Sequence, residues 1–113
     1  MATTDKLAKI DDPALAEFVR RLVEIYHPLR IYLFGSRARG DWGPDSDYDL
    51  MIVVADDGRR TEAQLQEQFR AEWDTEAWSD VITIGEDEFD FRLGSRASLP
   101  STVIREGRLL YAA

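Results

Sequence analysis

The chain has 113 residues, the length of one ordinary domain with one hydrophobic core, so residues 1–113 are expected to form a single domain. It has no cysteine and only one histidine, His27, which excludes disulfides, thiolate metal sites and the common histidine-rich zinc sites. With 22 acidic and 14 basic residues its formal net charge is −8, which lacks the basic footprint of a duplex-binding protein and suits either a basic partner or plain solubility.

Neither direct nucleic-acid binding nor a membrane location is expected. The start of the chain is polar and resembles no signal peptide, and no apolar run approaches membrane-spanning length. A cytoplasmic protein is therefore the expectation.

The first predicted element is a helix that begins at Asp12-Pro13, an acidic N-cap followed by proline at the first helical position. It ends at His27-Pro28, because proline disfavours helical geometry in the residue before it. Along it, apolar residues recur at three- and four-residue steps: Leu15, Phe18, Val19, Leu22, Val23 and Tyr26. A short strand over Arg30 to Phe34 follows, and Gly35 ends it.

A loop that holds Gly40, Gly43 and Pro44 leads to a second, more buried strand over Asp47 to Val54. A capping box at residues 61–64 then opens a helix that runs to about Asp74. Leu65, Phe69 and Trp73 mark one face of this helix, and Trp73 and Trp78 are predicted to lie in the core.

A third strand is predicted over Asp80 to Ile84. The acidic cluster at residues 86–90 is interpreted as a solvated face, with a docking surface as the alternative. A short helix from near Ser101 to Glu106, with Gly107 as its C-cap, precedes a small edge strand over Leu109 to Tyr111.

Two motifs carry the chemistry: Gly35-Ser36-Arg37-Ala38-Arg39-Gly40, and Ser46-Asp47-Tyr48-Asp49-Leu50. Strand side chains alternate between faces, so Asp47 and Asp49 point the same way while Tyr48 and Leu50 fill the other face. Two carboxylates on one face repel each other unless a cation lies between them. Hard oxygen ligands favour Mg²⁺ or Mn²⁺, and magnesium commonly combines one or two carboxylates with substrate phosphates.

The Gly-Ser motif offers a phosphate site. Gly35 at a strand end lets the backbone approach a phosphate, the next residues can open a short helix whose amides point at it, and Ser36 adds a hydroxyl donor. Arg37 and Arg39 can neutralise triphosphate charge. Gly-Ser alone is a common turn and Asp-x-Asp alone a common solvated strand end, but in this order between two apolar strands they indicate phosphoryl-type chemistry.

Gly-Ser, ten residues, then Asp-x-Asp resembles the signature of the minimal nucleotidyltransferases, within the DNA polymerase β-like nucleotidyltransferase superfamily. The resemblance covers nearly the whole chain and is most specific between residues 34 and 50. It implies that Gly35-Ser36 contacts the triphosphate of ATP and that Asp47 and Asp49 bind two divalent metal ions, Mg²⁺ or Mn²⁺. It also implies that Asp80, at the start of the third strand, completes the catalytic site. The implied mechanism is a two-metal in-line displacement, in which Asp80 could also act as general base.

Strand directions follow from the placement of these residues. The first strand ends at the site, whereas the second and third begin there, so the first is antiparallel to the second, and the second and third are parallel. The intervening helix is the crossover that a parallel pair requires, and it should be right-handed. The expected fold class is therefore α/β (α+β), a mixed β-sheet flanked by helices, the nucleotidyltransferase fold.

The resemblance further implies a role. Minimal nucleotidyltransferases are often paired with a helical HEPN-domain toxin, so the implied activity is Mg²⁺-dependent transfer of AMP from ATP to a hydroxyl, typically of a tyrosine, on that toxin partner. Two alternatives stay open. One is a catalytically inactive antitoxin that acts by binding alone, against which the intact motifs argue. The other is an antibiotic-type nucleotidyltransferase for a small molecule, against which the absence of an acceptor-binding domain argues.

Overall fold

Four strands form one sheet in the order β3-β2-β1-β4, in a computed structural model that describes residues 7–43 and 46–113. The strands are β1 (Arg30–Phe34), β2 (Tyr48–Val54), β3 (Ser79–Gly85) and β4 (Arg108–Ala112). The helices are α1 (Pro13–Tyr26), α2 (Ser36–Arg39), α3 (Glu62–Thr75), α4 (Glu86–Arg92) and α5 (Leu99–Glu106). Pro44, which the sequence places in the loop before β2, lies outside the described residues.

The strand directions confirm the predicted fold class. β1 pairs antiparallel with both β2 and β4, and β2 pairs parallel with β3. The carboxyl end of β1 therefore lies at the same end of the sheet as the amino ends of β2 and β3. The handedness of the β2–α3–β3 crossover stays a prediction.

Helix α1 begins and ends where the sequence predicts. The Asp12 side chain accepts a hydrogen bond from the N–H of Ala14 (2.9 Å), and proline occupies the first turn. At the other end His27 adopts a left-handed conformation (φ 47°), and its N–H donates to the carbonyl of Val23. Its apolar stripe is buried against the sheet: Leu15, Phe18, Val19, Leu22 and Tyr26.

A helical layer covers each face of the sheet. Successive residues of β2 point to opposite faces and therefore pack against different layers. Alternate β2 residues Tyr48, Leu50, Ile52 and Val54 join the core cluster that α1 and α3 cover. The intervening Met51 and Val53 join a second cluster with Phe89 of α4 and Val103 of α5. Within the described part of the chain, no helix is long and apolar enough to cross a bilayer.

Helix α3 forms as predicted but buries a different face. Both hydrogen bonds of the capping box at Thr61 and Gln64 are present. The predicted core position of Trp73 and Trp78 is wrong, because their side chains are 72% and 42% exposed, and Phe69 is 58% exposed. The inward face of the helix instead carries Gln68, Ala71 and Glu72.

Hydrogen bonds explain why a polar face can be buried there. Gln68 accepts from the hydroxyl of Tyr26 on α1 (2.6 Å), and Glu72 accepts from the N–H of Ser79 at the start of β3 (3.2 Å). Buried polar groups with such partners escape the desolvation cost that unpaired ones incur. The aromatic residues of α3 are consequently left on its outer side.

The carboxyl-terminal third contains a helix that the sequence analysis missed. The acidic cluster at residues 86–90, interpreted as a solvated face or a docking surface, forms α4, whose first turn holds Glu86, Asp87 and Glu88. Acidic side chains stabilise a helix N-terminus through the helix dipole. Phe89 anchors this helix, since it is buried and stacks on Tyr32 at 5.8 Å.

The last helix and strand confirm the prediction with small shifts. Helix α5 begins at Leu99 rather than near Ser101, because Ser98 caps it by accepting from the N–H of Ser101 (3.2 Å). Gly107 caps it in an extended rather than a left-handed conformation, and a Cβ there would overlap the carbonyl oxygen of Val103. The edge strand then runs from Arg108 to Ala112.

Two phenylalanines provide a test of this layering. Phe18 of α1 is fully buried between this helix and the sheet, whereas Phe91 on α4 is 85% exposed. We expect Phe18→Ala to lower the free energy of unfolding by roughly 3–5 kcal/mol and Phe91→Ala to change it by less than about 0.5 kcal/mol, as measured by urea denaturation. Equal losses in the two variants would contradict the assignment of the core.

Candidate active site

Two of the predicted carboxylates are register neighbours at one end of the sheet. Asp49 pairs with Phe34 of β1 on one side and with Asp80 of β3 on the other. Side chains in register on adjacent strands point to the same face and lie close together. Asp47 lies two residues before Asp49, just ahead of β2, and its side chain is exposed. The fold therefore brings Asp49 and Asp80 together, with Asp47 at the same strand end.

Gly35 closes the site from the β1 side. Its backbone (φ 74°, ψ −159°) lies in a region that essentially only glycine adopts. A Cβ added there would overlap Oδ2 of Asp49, so the absence of a side chain is what leaves room for this carboxylate. The Gly-Ser motif and the Asp-x-Asp motif, separate in sequence, are thus in direct contact in the fold.

Ser36 begins the short helix α2 at this point. As the first residues of a helix, Ser36 and Arg37 have backbone N–H groups for which the helix offers no carbonyl acceptor. The N–H groups of Ala38 and Arg39 donate to the carbonyl of Gly35 (both 3.1 Å), which fixes the turn. The predicted roles of Gly35 and Ser36 in binding phosphate stay predictions that this geometry favours.

Negative charge accumulates at Asp49. Burial raises the pKa of the Asp49 carboxyl, the charges of Asp80 and Asp47 raise this pKa further, and the charge of Arg39 lowers it. The charges of Asp47, Asp80 and Arg39 therefore all act on the Asp49 carboxyl. A cation held among these carboxylates would relieve their mutual repulsion.

The donor set fits a hard divalent cation. Three carboxylates supply only oxygen ligands, which Mg²⁺ and Mn²⁺ prefer. Among residues 7–43 and 46–113, no three His, Cys, Asp or Glu side chains are already grouped closely enough to hold a metal ion. Asp47 and Asp80 are both exposed, so their side chains have room to turn toward the partly buried Asp49. The metal assignment therefore stays a prediction, based on the donor chemistry.

The two predicted phosphate-binding arginines lie in different surroundings. The guanidinium of Arg37 lies between the rings of Trp42 (4.2 Å) and Tyr48 (4.4 Å) and donates to the carbonyl of Ser46 at 2.8 and 3.1 Å. These contacts fix the chain just ahead of Asp47. The predicted triphosphate contact of Arg37 is untested, but the observed contacts already engage its guanidinium. Trp42, whose position in the loop between the two motifs fits either stacking on a nucleotide base or covering the core, stacks on this guanidinium and stays half exposed.

Arg39 is the arginine that acts on the carboxylates. It is paired with Asp41 (3.3 Å) and Glu106 (3.7 Å), and all three side chains are about half exposed. Exposed ion pairs of this kind contribute little to stability and exchange easily. Arg39 can therefore leave them for an incoming anion without a large cost to the fold.

A polar cleft of about 350 Å³ opens beside Asp47. Among the described residues its lining consists of Asp12, Ala14, Arg37, Ser46, Asp47, Tyr48, Glu76 and Trp78, most of which the sequence did not mark as site residues. No sequence motif signals Glu76 or Trp78. Another depression of about 380 Å³, lined by residues such as Arg21, Ile25 and Gln64, has none of the predicted site residues in its lining.

Comparison with known proteins gives the family to which this geometry corresponds. The sequence model of the family described as "Nucleotidyltransferase domain" matches residues 14–109, nearly the whole chain. A search of curated protein sequences found no match.

Several solved structures share the fold. A toxin-antitoxin with AMP-PNP has a TM-score of 0.59 at 24% identity, over 87% of this chain and 73% of that chain. A proposed nucleotidyltransferase from Sulfolobus solfataricus has a TM-score of 0.57 at 24% identity, over 88% and 78%. A mutant of the toxin-antitoxin MntA-HpeT has a TM-score of 0.58 at 18% identity, over 87% and 73%. At these identities the likeness establishes the fold.

Gly35 provides a test of the contact between the two motifs, with Gly40 as matched control. Both have positive φ (74° and 89°), but a Cβ at Gly40 would meet no atom within 4 Å. Gly40→Ala should lower the free energy of unfolding by about 1–2 kcal/mol, the cost of a left-handed alanine. Gly35→Ala should cost more, because its Cβ must also displace the Asp49 carboxylate. Urea denaturation of both variants measures the difference, and equal losses would show that Asp49 is not constrained by Gly35.

Proposed function

The chain belongs to the nucleotidyltransferase domain family, and we propose that it is an active, Mg²⁺-dependent member that transfers AMP from ATP to a hydroxyl group of a protein partner. The observation that carries this proposal is the contact between Gly35 and Asp49, with Asp80 in register beside them. This contact places a backbone suited to phosphate next to carboxylates suited to metal. Transfer of a nucleoside monophosphate requires that combination.

Each residue has a distinct proposed role. Asp47, Asp49 and Asp80 hold two divalent ions, with Mn²⁺ as a possible substitute for Mg²⁺. When bound, these ions supply Lewis-acid stabilisation of the triphosphate charge and lower the pKa of the acceptor hydroxyl. The amide of Gly35 and the hydroxyl of Ser36 bind the triphosphate.

Further side chains complete the proposed mechanism. Arg39 leaves its exposed ion pairs to contact the triphosphate, and Arg37 orients the segment that carries Asp47. Asp80, the carboxylate of β3 at this end of the sheet, accepts the proton of the attacking hydroxyl as pyrophosphate leaves the α-phosphorus.

The proposed partner is a toxin. The similar structures include a toxin-antitoxin with AMP-PNP, an analogue of ATP. They also include a toxin-antitoxin mutant in which two aspartates, separated by a single residue, are replaced by glutamate. That spacing is the one between Asp47 and Asp49. We infer that this chain acts as the antitoxin of a pair whose other member is a helical HEPN-type toxin, and that it silences the toxin by adding AMP to a tyrosine hydroxyl.

One observation favours a second candidate, a catalytically inactive antitoxin that acts by contact alone. In the part of the chain that the structure describes, the three carboxylates are not preassembled into a metal site. The glycine conformation at residue 35 argues the other way, because a binding module has no need of a strained backbone under Asp49. The transfer experiment below separates the two candidates.

The metal assignment predicts linkage between metal, nucleotide and stability. Mn²⁺ and ATP together should raise the melting temperature of the parent chain by more than the sum of their separate effects, because ligands of the native state stabilise it. The Asp47→Asn, Asp49→Asn double variant should lose this synergy. A folded double variant that keeps the full shift would refute the assignment.

The single variant Asp49→Asn tests how pH changes the free energy of unfolding in the absence of metal. The pKa of Asp49 is raised in the fold, so ionised Asp49 lowers stability at neutral pH, and this penalty disappears as the pH falls below the ordinary aspartate range. Asp49→Asn should therefore match or exceed the stability of the metal-free parent chain at neutral pH. Its advantage should shrink in acid, which urea denaturation at several pH values measures.

Transfer itself is tested by mass spectrometry. Incubation of the chain with ATP, Mg²⁺ and the proposed HEPN-type toxin should add the mass of AMP to that toxin. Asp47→Asn should fold and bind the partner without modifying it. If the parent chain and Asp47→Asn silence the partner equally and neither adds mass, contact alone is the mechanism.

A further inference from the structure

Three aromatic side chains form an exposed patch, which we name the aromatic ridge: Phe69 and Trp73 on α3, and Trp78 just before β3. Phe69 and Trp73 are four residues apart, so they are neighbours on one helix face. Trp73 and Trp78 make an edge-to-face contact with ring centroids 5.2 Å apart. Their side chains are 58%, 72% and 42% exposed. A contiguous aromatic surface of this kind on a small soluble domain marks an interaction site more often than a packing defect.

The aromatic ridge is not a part of the core that has lost its packing partner. The inward face of α3 is already packed, with Gln68 bonded to Tyr26 and Glu72 to Ser79. Rotating the helix to bury Trp73 would expose these satisfied polar contacts and bring no apolar partner into their place. Exposure of the aromatic side chains therefore belongs to the native arrangement.

The ridge reaches the candidate active site. Trp78 lines the polar cleft together with Asp47 and Glu76, so the ridge meets the candidate site at Asp47 rather than at Asp49 or Asp80, which are not among the described residues of that lining. The backbone also connects the two, because the N–H of Tyr48 donates to the carbonyl of Trp78 (3.0 Å). A macromolecule seated on Phe69 and Trp73 would consequently present part of its own surface at Asp47.

Charge distinguishes between the possible occupants. Glu72 of α3 is turned inward and Asp74 is paired with Arg21 at 2.8 Å. The other charged residues of this segment are exposed, and three of the four are acidic: Glu62, Glu67, Arg70 and Glu76. The whole chain has a net charge of −8. A second copy of the chain would bring the same acidic helix against this one and would be repelled. A protein with an apolar patch bordered by basic residues is complementary to it.

We propose that the aromatic ridge docks the protein that accepts AMP, through a partner surface that is apolar at its centre and basic at its edge. The inference rests on the proposed function, since it assigns the acceptor of that reaction to a surface. Tryptophan is the residue most often found at the energetic centre of protein interfaces, which makes Trp73, with the largest exposed fraction of the three, the expected anchor.

The test uses the Phe69→Gln, Trp73→Gln double variant, because glutamine keeps a high helix propensity while it removes the aromatic surface. The matched control is Phe91→Gln, which removes an aromatic side chain that is 85% exposed on α4, on the opposite side of the sheet. The probe is the proposed acceptor, the HEPN-type toxin. Calorimetric titration measures its affinity, and initial rates at varied acceptor concentration measure transfer.

The double variant should bind the probe at least about thirtyfold more weakly, the loss typical of a central interface aromatic residue. Its KM for the acceptor should rise while kcat is retained, and Phe91→Gln should match the parent chain. The parent affinity should also fall as salt is added, because complementary charges are screened. Unfolding curves and the Mn²⁺–ATP thermal shift, measured on every variant, report the fold and the nucleotide site separately.

Four results would overturn the inference. These are unchanged affinity in the double variant, equal losses in Phe91→Gln, a parent chain that does not bind the probe, and a parent dimer that the double variant dissociates in sedimentation. Loss of the thermal shift by Mn²⁺ and ATP in the double variant would also overturn it, because the ridge would then contribute to nucleotide binding. Failure of the proposed function gives a different pattern, in which the probe binds through the ridge but no AMP is transferred.

Discussion

The contact between the backbone of Gly35 and the carboxylate of Asp49 is the constraint on which the site depends. Residue 35 adopts a conformation restricted to glycine and sits where any side chain would displace Asp49. The chain can therefore turn directly from β1 into α2 while a charged strand residue lies against the turn. The cost of placing a carboxylate there appears as the raised pKa of Asp49. Such a cost is commonly found where a ligand of opposite charge compensates it.

The sheet holds this contact in place from both sides. Asp49 is paired with Phe34 and with Asp80, so its position is fixed by hydrogen bonding to two neighbouring strands. A loop could not hold two carboxylates side by side against their repulsion with the same accuracy. The parallel pairing of β2 with β3 demands a crossover, and α3 supplies it.

Local signals in the sequence predicted most of the fold, because each has a local physical cause. The side chains of Asp12 and Thr61 accept hydrogen bonds from backbone N–H groups in the first turns of their helices, so the helices begin where these motifs lie. The alternation of β2 separates Asp49 from Leu50 by face, and this is what placed the carboxylates opposite the main core cluster.

The wrong core assignment on α3 has a different cause, since it concerns contacts between residues far apart in the chain. The spacing of Phe69 and Trp73 correctly indicates a helix, but it does not show which face is buried. That choice depends on Gln68 finding the hydroxyl of Tyr26, 42 residues away. The contacts of Arg37 with Trp42 and Tyr48 are likewise invisible in the motif, and its predicted role at the triphosphate stays a prediction.

The ridge and the site are joined by a short, rigid path, and this has a consequence for how a bound protein could affect the chemistry. Trp78 is linked to Tyr48 through a backbone hydrogen bond, and Tyr48 in turn packs its ring on the guanidinium of Arg37 and donates its hydroxyl to Asp12. Tyr48 lies between Asp47 and Asp49 in sequence. A displacement of Trp78 is therefore transmitted to the backbone that carries both carboxylates. Since Asp47 and Asp80 are exposed and Asp49 alone is partly buried, the segment around Asp47 has the most freedom to respond. A protein that moved Trp78 on docking would therefore also move the segment that carries Asp47, and reciprocity requires that a cation which moved this segment would alter docking to the same extent.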